Sequence, residues 1–252
     1  MQTAILLTNI SRTFNHGKPT QVDAVKDVSL DIKAGEFVVI VGSNGSGKTT
    51  LLNLISGSLH PTFGNISINN IDVTKLADHE RSKWIARVFQ NPMSGTASEL
   101  SILDNFRLAA IRSQTKGITI GINNTFKAVV RDKVKTLGMG LENKIEQPMG
   151  TLSGGQRQAL TLLMSVMDEC KVLLLDEPTA ALDPRSAEVV MQTADKLSKE
   201  FDLTTILVTH NLKDAFTYGG RIIQMAEGRI IKDQDSEIKR RLTQNELFDW
   251  FN

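Results

Sequence analysis

Apolar positions along the chain follow two rhythms. From Ala4 to Ile40, short alternating runs (AILLTNI, VSLDI) are broken by the turn-forming stretches NHGKPT and KAGE, a pattern that predicts a small antiparallel sheet leading into a core strand. Phe37 to Val41 is continuously apolar and rich in β-branched residues, as suits a strand buried on both faces. Glycines follow it, then KTTLLNLISGSL, whose leucines recur at helical spacing. GNISINNIDV reads as a hairpin and WIARVFQ as another core strand, ending at Gln90. Between Asn91 and Gly150 the spacing turns helical in SELSILDNFRLAAIR and NNTFKAVVRDKVKTLGM, with the glycine-containing KGITIG between them. A helix opening at SGGQRQALTLLMSVM, the strand KVLLLD, a helix after Pro184, the strand TTILVTH and a short helix then restore β–α alternation, which predicts a parallel sheet. RIIQMAEGRIIKD is a hairpin turning at Glu227 and Gly228, and SEIKRRLTQNELFDWF makes one or two short amphipathic helices. The aromatics of that tail, Phe248, Trp250 and Phe251, are expected to pack on the core.

Two stretches bring chemistry to this frame. Gly42 to Thr50, GSNGSGKTT, fits G-x-x-x-x-G-K-[ST] and sits where that motif works, after a strand and at the opening of a helix. The run Gly42, Ser43, Asn44, Gly45, Ser46, Gly47 can turn successive backbone N–H groups inward as an anion nest, Lys48 can reach the β- and γ-phosphates, and the Thr49 hydroxyl can bind Mg²⁺, with Thr50 beside it. This predicts a nucleoside-triphosphate site. The second stretch, Val172 to Pro178, is an apolar strand ending in Asp176 and Glu177, at the carboxyl end of a parallel strand, where ligands bind in such sheets. An acidic strand end alone is more often a solvated cap, but with Lys48 in the same chain a catalytic pair is favoured. Asp176 would then hold Mg²⁺ through a water, leaving Glu177 to position and deprotonate an attacking water.

Composition narrows the partners. The 252 residues are 40% hydrophobic, enough for one large α/β domain, and Lys+Arg 29 against Asp+Glu 28 gives no field to attract nucleic acid. The single cysteine, Cys170, is expected to be a small buried hydrophobe in a reducing compartment. No apolar run approaches the ~18 residues that span a bilayer, and the start lacks a secretory pattern. The expected place is therefore the cytoplasm, with any membrane work done by docking on a spanning partner. No internal repeat is evident.

GSNGSGKT, Gln90 at a strand end, LSGGQ, VLLLDEP, AALD and His210 in VTHN, in this order, resemble the nucleotide-binding subunit of ATP-binding cassette (ABC) transporters over nearly the whole chain. The resemblance implies a P-loop NTPase fold: a RecA-like core with a parallel sheet, an antiparallel β lobe and an inserted helical lobe. It divides one domain, 1–252, into core and β lobe (1–90 and 151–230), helical lobe (91–150) and C-terminal tail (231–252). It implies ATP and Mg²⁺ as ligands, with Gln90 touching the metal or the lytic water and His210 touching the γ-phosphate. Phe14 falls under adenine and Asp183 faces a dimer partner. The turn Ser153, Gly154, Gly155, Gln156 closes over the nucleotide held by the P-loop of a second subunit in a head-to-tail dimer, either another copy of the chain or a related ATPase subunit.

The implied assembly is an ATPase docked on an integral membrane permease at the cytoplasmic face of the membrane, and its partners are not nucleic acids. Met164, where many cassettes carry arginine, together with KGITIG, LGMGLENK and QNPMSGTASELSILDNFRLA, resembles a bacterial subgroup of importers that work with a solute-binding protein, for amino-acid-like solutes. A soluble assembly ATPase of the iron–sulfur cluster type, or the ATPase of an exporter, remains open on the sequence. A long heptad coiled coil of the DNA-maintenance ATPases does not fit between Gln90 and Leu152, and a translation-factor cassette would carry two nucleotide domains.

Overall fold

A computed structural model describes residues 2–111 and 121–250. Most of KGITIG therefore lies outside the described residues, as does Phe251. In chain order the elements are β1 (Thr3–Phe14), β2 (Val22–Lys33), β3 (Phe37–Val41), α1 (Lys48–Ser56), β4 (Phe63–Ile68), β5 (Ile71–Asp72), α2 (Asp78–Arg81), β6 (Ile85–Val88), α3 (Ile102–Ala110) and α4 (Asn124–Lys135). There follow a 3₁₀ turn (Met149–Thr151), α5 (Gly154–Ser165), β7 (Val172–Asp176), α6 (Pro184–Glu200), β8 (Thr204–Val208), α7 (Leu212–Thr217), β9 (Arg221–Ala226), β10 (Arg229–Gln234), α8 (Ser236–Arg241) and α9 (Gln244–Phe248).

Two sheets result. One has the order β2-β1-β4-β5 and is antiparallel, as the alternating N-terminal runs require. The other has the order β10-β9-β3-β8-β7-β6 and is parallel except for β10, which returns beside β9 at the edge. The final hairpin thus extends the core sheet, with β9 directly beside the strand that precedes the glycine loop.

The continuous apolar runs are explained by burial on both faces, split by the two-residue period of a strand. Val38, Ile40, Val172, Leu174, Ile206 and Val208 join α1 and the antiparallel sheet in one core. Val39, Val41, Leu173, Leu175 and Leu207 join α3, α4, α5 and α6 in the other. Helix α5 packs on α3 and α4 as well as on α6 and β6, so the helical segment and the sheet share that second core. The C-terminal end of α1 is stopped by Gly57 in the left-handed conformation, and the wholly buried Arg81 donates to Leu54 O (2.7 Å) and Ile55 O (2.9 Å). The tail docks through fewer aromatics than expected: Trp250 is buried beside Leu247, α9 touches α7, and Gln224 Nε2 donates to Trp250 O at 3.0 Å, but Phe248 is exposed rather than packed on the core, because it falls on a face of the short α9 turned away from Leu247 and Trp250. Cys170 is buried, as its sequence context suggested.

Candidate active site

The glycine loop between β3 and α1 is built by backbone that side chains would obstruct. Gly47 ends the loop with φ 101°, and a Cβ placed there would stand 2.4 Å from Ala24 O. Strand β2 and the β9–β10 turn buttress the loop from outside: Gly228 N donates to Ser46 O at 3.1 Å, and Lys26 N donates to Gly228 O at 2.8 Å. Lys48 is buried, and its ammonium donates to Gly42 O (2.7 Å), Ser43 O (2.9 Å) and Ser46 Oγ (3.3 Å), curling back into the loop it serves. Desolvation pulls its pKa below the ordinary lysine value, opposed by the charges of Glu177 and Asp176.

The loop opens into a cleft of about 660 Å³ lined by Phe14, Val22, Asn44, Gly45, Lys48 and Glu177, among others. Phe14, at the end of β1, sits at this cleft with the Arg12 guanidinium 4.8 Å from its ring centre. The wall is both apolar and polar, as a nucleoside with a phosphate tail requires.

The carboxyl ends of the strands bring the acids in. Asp176 closes β7, and its Oδ1 accepts from Thr49 Oγ1 at 3.2 Å across the sheet. Glu177 is the next residue, with φ 47°, a left-handed conformation uncommon for a residue with a side chain. That turn lifts its carboxylate out of the strand direction while its N–H still pairs with Val208 O at 2.9 Å. Glu177 Oε2 accepts from Gln90 Nε2 at 3.3 Å and lies 3.0 Å from His210 Nδ1. The three residues expected to share the chemistry therefore meet on one oxygen, brought there by the ends of β6, β7 and β8.

Other expected site residues are held elsewhere. None of Ser153, Gly154, Gly155 and Gln156 lines the cleft. Ser153 caps α5: its Oγ accepts from Gln156 N (3.3 Å) and its N–H donates to Gln156 Oε1 (3.1 Å). A Cβ on Gly155 would stand 2.3 Å from Ser186 Cβ, so this glycine also permits close packing of α5 on α6. Asp183 caps α6, accepting from Arg185 N (3.1 Å) and Ser186 N (3.0 Å) before Pro184, and its bond with Ser186 is the main reason its pKa lies below the usual carboxylate value.

Sequence reasoning passed over several residues that fasten these parts. Arg87 on β6 pairs with Asp176 Oδ2 at 2.6 Å. Met164, already singled out on the sequence, lines a cleft together with that same arginine. Gln158 Nε2 donates to Phe89 O at 2.8 Å, and Arg157 contacts Met93 Sδ and donates to Gly150 O at 3.1 Å, so the helix after the second glycine turn grips the loop carrying Gln90. Thr179 Oγ1 donates to Asp214 Oδ2 at 3.2 Å, linking the segment after Glu177 to the helix after His210, and burial pushes the Asp214 carboxyl up. A charged residue inside an otherwise apolar strand, as in WIARVFQ, was the available signal for Arg87.

The family model described as ABC transporter matches residues 25–180. The chain belongs to the ABC transporter family. A tyrosine transport ATP-binding protein of Clostridioides difficile is 39% identical over 97% of both chains. An energy-coupling factor transporter ATP-binding protein of Clostridium tetani is 32% identical over 91% of this chain and 78% of its own. A dimeric ATP-binding cassette in a post-hydrolysis state with ADP and Pi superimposes with a TM-score of 0.79 at 31% identity, covering 92% of this chain and 98% of that one. The fold is the ABC cassette, a P-loop NTPase core with an antiparallel β lobe and helices, and the chain is the ATP-hydrolysing component of a transport system. Among the described residues no helix is long and apolar enough to cross a membrane.

The donor set also fits Mg²⁺. Thr49 Oγ1 and Asp176 Oδ1 are hard oxygens 3.2 Å apart beside the phosphate loop, and no group of three or more His, Cys, Asp or Glu among the described residues forms a metal cage of its own. A cation that keeps several waters and takes phosphate oxygens needs only such a partial site.

Proposed function

We propose that this ABC ATPase binds Mg²⁺-ATP in the cleft at Gly42–Thr50, pairs head to tail with a second copy of itself or a related ATPase subunit, and powers uptake of an amino-acid-like solute through a separate membrane permease served by a solute-binding protein. Its place is the cytoplasmic face of the cell membrane, held there by the permease. The observation that carries the reading is the meeting of Gln90, Glu177 and His210 at one carboxylate oxygen beside the phosphate loop.

Glu177 is the base. His210 Nδ1 and Gln90 Nε2 hold its Oε2 and so fix the carboxylate's direction, and Oε1 takes the proton from the attacking water. Lys48 exchanges its loop carbonyls for phosphate oxygens, an electrostatic preorganisation that costs little because the loop geometry is set beforehand. Phe14 offers its ring to the adenine. Thr49 and Asp176 would hold Mg²⁺, which neutralises phosphate charge when bound. Ser153, Gly154, Gly155 and Gln156 lie outside the cleft of their own chain, which supports their acting on a partner's nucleotide, with Asp183 at the same interface. Dimer closure driven by ATP, and its release after hydrolysis, would supply the motion. Uptake of an amino-acid-like solute is supported by the likeness to the tyrosine transport protein.

Gentle detergent extraction of the tagged chain from its native cells, with mass spectrometry of what co-purifies, tests the assembly. A stoichiometric multi-helix membrane protein, accompanied by a solute-binding protein, is the expected result. Recovery of soluble partners alone would overturn the separate permease, and a permease without a binding protein would remove the binding-protein-dependent importer.

A further inference from the structure

Strand β6 carries a charge where its neighbours are apolar. The two-residue period turns Ala86 and Val88 toward the helical side of the sheet, and Ile85 and Arg87 toward α1. Because β6 runs parallel to β7 with Arg87 opposite Leu174, Asp176 stands two residues further along on that same face. Arg87 Nη2 reaches Asp176 Oδ2 at 2.6 Å, and its Nη1 donates to Asn53 Oδ1 on α1 at 2.6 Å and to Ser56 Oγ at 3.4 Å. The guanidinium carbon lies 4.7 Å from the Phe89 ring centre. The two charged side chains are only 10% and 8% exposed.

A pair so deeply buried is a poor way to gain stability, since desolvation consumes much of the Coulombic gain and apolar replacements often do as well. Its geometric effect is plainer. A carboxylate turns readily about its last torsion and can present either oxygen. With Oδ2 fastened to a planar fork that is itself pinned to α1, Oδ1 is left facing Thr49 Oγ1 at 3.2 Å.

We propose that Arg87 is a positioning residue for the metal half of the active site: by gripping Asp176 Oδ2 while anchored on Asn53, it presents Oδ1 alone, next to the Thr49 hydroxyl, to the cation. This rests on the reading above that Thr49 and Asp176 would hold Mg²⁺.

The test measures ADP binding to the purified full chain as a function of Mg²⁺, and again in EDTA, for the wild type and for Arg87→Met, Arg87→Lys and Asn53→Ala. The half-saturating Mg²⁺ is expected to rise about 10- to 100-fold in Arg87→Met, the usual range for loss of an outer partner of a metal ligand. Asn53→Ala leaves both charges of the pair in place and should shift it the same way by a smaller factor, which keeps the test open if the methionine variant does not fold. Arg87→Lys keeps the charge but cannot hold Asn53 and Asp176 together, so it should follow the methionine variant. ADP affinity in EDTA should be the same in all four. An unchanged Mg²⁺ requirement, a lower one, or full rescue by lysine would overturn the positioning role, the last two because they would show that only the charge matters. Wild-type binding indifferent to Mg²⁺ would instead remove the metal reading, and this inference with it.

Discussion

The two glycine turns of this ABC ATPase differ in how much of their work they finish within one chain. The first, Gly42 to Thr49, is surrounded: β2 and the β9–β10 turn hold it from outside, Lys48 fills it, and Thr49 meets Asp176 across the sheet. The second, Ser153 to Gln156, opens α5 with Ser153 and Gly154 exposed and Gly155 buried, and Ser153 and Gln156 bond to each other in capping their own helix. Both turns expose backbone N–H groups at a helix start, the feature that binds phosphate. One lies in a formed cleft and the other outside it, so the same local chemistry is placed in two different settings, which is the contrast that the proposed head-to-tail dimer would use.

The largest effect should come from the completed turn and its base. Glu177→Gln is expected to reduce phosphate release by about 10²- to 10⁴-fold, while an ATP-bound dimer accumulates in size-exclusion chromatography. Hydrolysis at the wild-type rate would remove Glu177 from the role of base. The next test separates the two turns. On the Glu177→Gln background, adding Ser153→Arg should abolish the ATP-dependent dimer yet leave the nucleotide affinity of each monomer unchanged. A drop in monomer affinity would place the second turn in its own chain's site and end the contrast.

A smaller effect sharpens the structural side. Gly155→Ala drives a methyl against Ser186 and should cost about 1–3 kcal/mol in chemical denaturation. Pairing it with Ser186→Gly should recover most of that loss, and dimer formation by the repaired protein then reports whether Gly155 is also needed against a partner's phosphate. The smallest change concerns Asp183. Its folded pKa is lowered, so its capping bonds add stability above the ordinary carboxylate range, and this is lost as pH falls through the lowered value. Asp183→Ala should lower the melting temperature slightly at neutral pH and make no difference in acid below that value, measured by thermal melts across about pH 2 to 7.

Much of the architecture was legible because it is local. The run from Phe37 to Val41 had to be a strand buried on both faces, the leucines after Lys48 had to be a helix, and Gly57 marks where that helix stops. The hairpins at Gly64–Val73 and around Gly228 formed where turn residues interrupt apolar runs. Helix α5 was harder to place. Its sequence suggests one helix of the β–α alternation, whereas in the fold it packs against both the sheet side and helices α3 and α4, a bridging position that needs burial nearly all around. The fastening residues Arg87, Gln158 and Thr179 were passed over because each works on a partner 35 to 89 positions away.

The phosphate loop, the acidic strand end, the second glycine turn and the family to which they belong could all be read along the chain, since these depend on residue type at fixed short spacings. Long-range packing was needed to bring Gln90, Glu177 and His210 onto one oxygen, to set the terminal hairpin against the phosphate loop, and to pair Arg87 with Asp176 Oδ2. Register separates the two. Which strand ends lie side by side in a parallel sheet is set by crossovers whose lengths no local pattern encodes, and a shift of one residue would turn every one of these side chains to the opposite face.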